Sequence, residues 1–88
     1  MKKNENTINA IMLLIKKELN QAMEKYNTQS SLHEGYAILL EEVDELWEII
    51  KQKPSKIKED EVIVESIQVA AMAIRLIHDY IIRTGGKI

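Results

Sequence analysis

The chain has 88 residues, 45% hydrophobic and 30% charged, with a formal net charge of -2 and no cysteine. That length suits one domain burying about 60–65% of its unfolded surface, and the lack of cysteine excludes disulfides and thiolate-bound metal. Acids and bases are interspersed without a basic block, so a nucleic-acid polymer is not an expected partner.

No uncharged run reaches the roughly 18–20 residues of a membrane span. The opening Met1-Lys2-Lys3 leads into a segment carrying Lys16, Lys17 and Glu18, unlike a secretory leader. A cytoplasmic protein with no membrane partner is expected.

The first helix is expected over about 5–27, where Ile8, Ile11, Met12, Ile15, Leu19, Ala22, Met23 and Tyr26 recur at spacings of three and four. Asn27-Thr28-Gln29-Ser30-Ser31 breaks the pattern, and Ser31 with Glu34 has the form of a capping box. The second helix is expected over about 32–51 and ends at Lys53-Pro54-Ser55, because proline cannot continue the hydrogen-bond ladder. The third is expected over about 57–83, stopped by Gly85-Gly86, with a tail at 84–88. The fold class is all-α: a three-helix chain, one domain over 1–88, forming an oligomeric helical bundle.

On a helical wheel, Tyr36, Leu39, Leu40, Val43, Leu46, Trp47 and Ile50 form the stripe expected to be buried. Glu41, Asp44 and Glu48 face solvent. Ile38 and Ile49 point away from the main stripe and share their sector with Glu42 and Glu45. Acids flanked by isoleucines make a poor solvent face, so this second facet asks for a covering partner. The third helix is apolar over most of its circumference, with Glu61, Glu65, Gln68, Arg75 and Asp79 as its remaining polar strip. One three-helix chain does not easily surround such a helix, which argues for a homodimer or homotetramer.

Glu42 and Glu45 are neighbours at i, i+3, and Glu65 and Gln68 repeat the spacing on the next helix. A short connection makes these helices antiparallel and brings the pairs together. Three carboxylates and an amide oxygen are hard donors suited to Mg²⁺ or Mn²⁺ rather than zinc. Such an ion holds phosphates and activates water. The alternative is an ordinary solvated acidic face.

Glu41-Glu42-Val43-Asp44-Glu45-Leu46 followed by Glu65-Ser66-Ile67-Gln68 resembles the EExxE…ExxD signature of MazG-like proteins, all-α nucleoside triphosphate pyrophosphatases. The likeness spans roughly Tyr36 to Tyr80 and extends to the small forms of bacteria and their phages. It implies an oligomer hydrolysing a nucleoside triphosphate to monophosphate and pyrophosphate. It also implies that Glu42, Glu45, Glu65 and Gln68 hold Mg²⁺, with Glu42 or Glu45 helping to orient or deprotonate the attacking water. Gln68 departs from the family aspartate and removes one negative charge. Glu61, one turn before Glu65, is the candidate to replace it, whereas Asp79 lies more than two turns beyond Gln68. The competing reading is a MazG-like module weakened at Gln68 that acts in nucleotide binding or oligomeric interaction.

Trp47, Tyr36 and Tyr80 are expected to pack in the core rather than stack on a base. Arg75 either meets a substrate phosphate or pairs with Asp79 at i+4. His33 and His78 have no partner at metal-ligand spacing.

Overall fold

Apolar periodicity and local caps divide the chain into α1 (Lys2–Lys25), α2 (Leu32–Ile50) and α3 (Glu59–Thr84). The computed structural model describes residues 2–86, with side chains from residue 4 onward. The described residues are all-helical, with no strand. None of the helices is long and apolar enough to cross a membrane.

Ser31 caps α2: its hydroxyl accepts the Glu34 N–H at 3.0 Å, satisfying one of the donors a helix start leaves free. The Glu34 carboxylate reaches back to the backbone and hydroxyl of Ser30, one residue earlier than the usual reciprocal bond. Pro54–Lys56 forms a short 3₁₀ turn, and Ile57 and Lys58 stay extended. These residues delay α3 to Glu59, two residues beyond the expected start at Ile57. At its far end Gly85 takes a left-handed φ of 69°, while Gly85 and Gly86 donate to the Ile82 and Ile81 carbonyls. The expected tail therefore begins at Gly85, and its last residues, Lys87 and Ile88, lie outside the described residues.

Both α1 and α2 pack against α3, and not against each other. The arrangement leaves a cleft over α3 and gives a radius of gyration of 14.8 Å, against about 12 Å for a closed domain of this length.

Two wheel assignments are reversed. The α2 facet facing α3 carries Ile38, Leu39, Glu42, Leu46 and Ile49, all half-buried, so this chain covers the facet expected to need another partner. Of the stripe expected to be buried, Tyr36, Leu40, Val43, Trp47 and Ile50 lie exposed, with Trp47 at 58%. On α3 the polar strip turns inward: Arg75 and Asp79 are buried, and Glu65 and Gln68 are half-buried. Ile63, Ile74, Ile77 and Tyr80 face out. The wheel recognised the facets, but amphipathicity alone cannot say which apolar facet meets its own chain. Among the described hydrophobic residues only Ala71 and Met72 are buried.

Candidate functional site

Glu42 and Glu45 project from adjacent turns of α2 toward α3, where Glu65 and Gln68 occupy the matching spacing. Glu42, Glu45 and Glu65 each offer an oxygen, all within 4.8 Å of one another. Glu42 and Glu65 are half-buried and Glu45 is exposed, so the group opens to solvent on one side.

Three carboxylates at this separation repel. Burial, reinforced by hydrogen bonding to Glu42 and the charges of Glu42 and Glu45, pushes the Glu65 carboxyl up to about 8. An ion-free cluster thus retains a proton at neutral pH. The Gln68 amide lies between the acids. Oriented to donate, its Nε2 is 3.0 Å from Glu42 Oε2 and 3.1 and 3.2 Å from the two Glu65 oxygens. A half-turn of that amide puts its carbonyl oxygen at the same place, where it faces only other oxygens. A donated amide hydrogen, the proton on Glu65 or a bound cation each relieves such an arrangement.

The donor chemistry fits a hard divalent cation. Oxygens on opposite sides of an octahedral Mg²⁺ lie about 4 Å apart, within reach of a 4.8 Å group after small side-chain movements. Glu61 is exposed and stands outside this group, in a shallow depression with Ile49, Asp60 and Val64 beyond Glu65.

The cleft between α1 and α2 encloses about 630 Å³ and reaches the cluster at Glu42 and Gln68. Its apolar lining includes Ile38 and Met72, and Lys25 and Arg75 are its two cations among the described residues. Arg75, only 4% exposed, is tied down through two of its nitrogens. Its Nε lies 3.5 Å from Asp79 Oδ2, its Nη2 donates to the Asn27 carbonyl at 3.0 Å, and the guanidinium sits 5.5 Å from the Tyr26 ring centre. Of the two roles open to Arg75, the pairing with Asp79 is therefore formed.

Asp79 ties the α1–α2 connection to α3. Its Oδ2 accepts the Gln29 N–H at 3.0 Å, its Oδ1 lies 2.9 Å from His78 Nδ1, and Arg83 donates to the Gln29 carbonyl at 2.8 Å. Burial alone would raise the Asp79 pKa, but the Gln29 N–H, His78 and the Arg75 charge outweigh it and hold the carboxyl below its usual value. Sequence reasoning treated Asn27-Thr28-Gln29 only as a helix break. The usable signal was the Arg75/Asp79 pair on an otherwise apolar helix, since buried charges must meet donors or acceptors from another segment. No protein-family model, curated protein or solved structure matches this chain.

Proposed function

We propose that this chain is a Mg²⁺- or Mn²⁺-dependent nucleoside triphosphate pyrophosphohydrolase of MazG-like type, acting in the cytoplasm as a homodimer or homotetramer. The supporting observation is the meeting of two i, i+3 donor pairs from antiparallel helices beside a cleft of nucleotide size. The sequence signature across Glu41–Glu45 and Glu65–Gln68 points the same way.

In this reading Glu42, Glu45 and Glu65 hold the ion with the Gln68 carbonyl. The bound ion supplies charge neutralisation for the phosphates and acidifies water. Glu45, the most open of the three acids, accepts the water proton as the oxygen attacks the α-phosphorus. The bond from that phosphorus to the bridging oxygen breaks, and pyrophosphate leaves with its electron pair. The products are a nucleoside monophosphate and pyrophosphate. The ion must displace the proton that Glu65 retains, so binding strengthens as pH rises toward 8.

The oligomer rests on the outward apolar faces. A second copy covering Tyr36, Leu40, Val43 and Trp47 removes exposed apolar side chains of α2 from water. Sedimentation of the native protein and of Trp47→Glu tests this, and a native monomer at micromolar concentration refutes it.

A second reading has its own support: Gln68 Nε2, donating to Glu42 and Glu65, stabilises the ion-free cluster as aspartate cannot. On that reading the chain is a catalytically weakened nucleotide-binding module. Pyrophosphate release from a panel of ribo- and deoxynucleoside triphosphates, with Mg²⁺ and then Mn²⁺, separates the two. Ion-dependent release that disappears in Glu42→Gln supports the enzyme. Silence from folded protein, with activity appearing in Gln68→Asp, supports the weakened module.

A further inference from the structure

Asn27 lines the cleft that reaches the carboxylate cluster, and its backbone carbonyl is already taken by Arg75. Its side-chain amide carries both a donor and an acceptor, the pair of functions needed to meet the edge of a nucleobase. Tyr26 lines the same cleft and is 54% exposed, with Lys25 and Arg75 5.4 and 5.5 Å from its ring centre. Met72 and the half-buried Ile38 add apolar lining. Together these residues give the otherwise polar cleft an apolar patch beside placed polar groups, the combination that orients a small molecule.

Arg75 supports this wall from behind. Moving its guanidinium onto a phosphate would give up the Asn27 carbonyl, the Asp79 carboxylate and the Tyr26 ring. Asp79 fixes the turn two residues further on by accepting the Gln29 N–H, and Arg83 holds the Gln29 carbonyl. The turn is therefore anchored through its backbone at Asn27 and Gln29, which leaves the Asn27 side chain for a ligand.

We propose that the Tyr26–Thr28 turn is the wall that receives the nucleoside part of the substrate, with Asn27 reading the base. Arg75 is a positioning residue for that wall and not a phosphate ligand. This assignment rests on the nucleotide reading of the neighbouring cluster. It makes the polar inner strip of α3 serve both halves of the substrate: Glu65 and Gln68 toward the phosphates, and Arg75 and Asp79, through the turn, toward the base.

The test is calorimetric titration in Mg²⁺, using the four ribonucleoside monophosphates and inorganic pyrophosphate as separate ligands. Asn27→Ala and Arg75→Lys should each weaken the best monophosphate about tenfold while leaving pyrophosphate within about twofold, since a lost base contact does not touch the phosphate end. A loss of pyrophosphate affinity in Arg75→Lys overturns the positioning role. Unchanged monophosphate binding in Asn27→Ala overturns the wall, and this exposed site decides the matter alone should Arg75→Lys fail to fold. Native protein that binds monophosphate without cleaving any triphosphate defeats the hydrolase reading and leaves the wall to be judged by Asn27→Ala. Native protein that binds neither ligand defeats both.

Discussion

The inner face of α3 carries two polar clusters built on opposite electrostatic plans. Toward the C-terminal end, Arg75 and Asp79 are of opposite charge, nearly inaccessible, and joined to the backbone at Asn27 and Gln29. Toward the N-terminal end, Glu65 faces Glu42 and Glu45, all of one sign and open on one side. The first cluster is closed upon itself and holds two helices and a turn together. The second gathers three acids, whose repulsion the proton on Glu65 and the Gln68 amide partly offset. Buried charges that satisfy one another are structural, whereas like charges assembled beside a cleft have shifted proton affinities that make them candidates for function.

Removing one member of the closed cluster should have the largest effect. Asp79→Ala leaves the Arg75 guanidinium buried without its counter-charge and the Gln29 N–H without its acceptor, so unfolding free energy should fall by about 3–5 kcal/mol. Urea denaturation at fixed protein concentration measures it. Because the folded pKa of Asp79 is depressed, its contribution is present above the unfolded value and is lost as pH falls through the folded one. A loss below about 1 kcal/mol, in the range of exposed pairs, would mean that the two clusters do not differ as described.

The open cluster should respond in the opposite sense. With Glu65 raised to about 8, the native state holds a proton that the unfolded state has released. Ion-free stability is then greatest below the unfolded value of 4.5 and declines as pH rises through about 8. Glu65→Gln should flatten that decline and stabilise the ion-free protein at alkaline pH. Mg²⁺ at a hundredfold excess over its dissociation constant should add about 2.7 kcal/mol to the native protein and nothing to the variant. Thermal unfolding with and without the ion reads both effects. An equal Mg²⁺ response in the two proteins would remove the cluster from consideration as a metal site.

The comparison also marks where sequence reading stops. Three helices were legible because Pro54, Gly85 and the Ser31 cap act locally, through backbone geometry and nearby hydrogen bonds. The approach of Glu42 and Glu45 to Glu65 was legible because i, i+3 spacing and a short connection bring the pairs together. Which facet of α2 meets α3 was not, since Ile38–Ile49 and Leu40–Trp47 are both apolar and only the tertiary contact distinguishes them. The closed cluster was half legible. Arg75 and Asp79 are one helical turn apart, but Asn27 and Gln29 lie some fifty residues earlier, beyond any local pattern.

Gly35 shows how tightly the closed side is assembled. It is buried in the first turn of α2, and a Cβ there would collide with Leu76 Cδ1 and Gln29 Oε1. The helix gains from alanine in the abstract, so propensity alone predicts that Gly35→Ala stabilises. Crowding predicts the reverse, a loss of about 1–3 kcal/mol as Leu76 and Gln29 are displaced. The same denaturation experiment decides the sign, and a stabilised variant would show that this side has room to spare.

Gln29 supplies the finest test, because its backbone and side chain belong to different accounts. The backbone N–H and carbonyl are bound by Asp79 and Arg83. The side-chain amide is 1% exposed and has no hydrogen-bond partner among the described residues. An orphaned buried amide is destabilising, while an apolar group of similar shape fills the same space without that penalty. Gln29→Met should therefore be neutral or stabilising by up to about 1 kcal/mol, with no change in the anchoring of the turn. A loss of about 1–3 kcal/mol would instead mean that the amide is satisfied in solution. The closed cluster would then extend through the Gln29 side chain and would not end at its backbone.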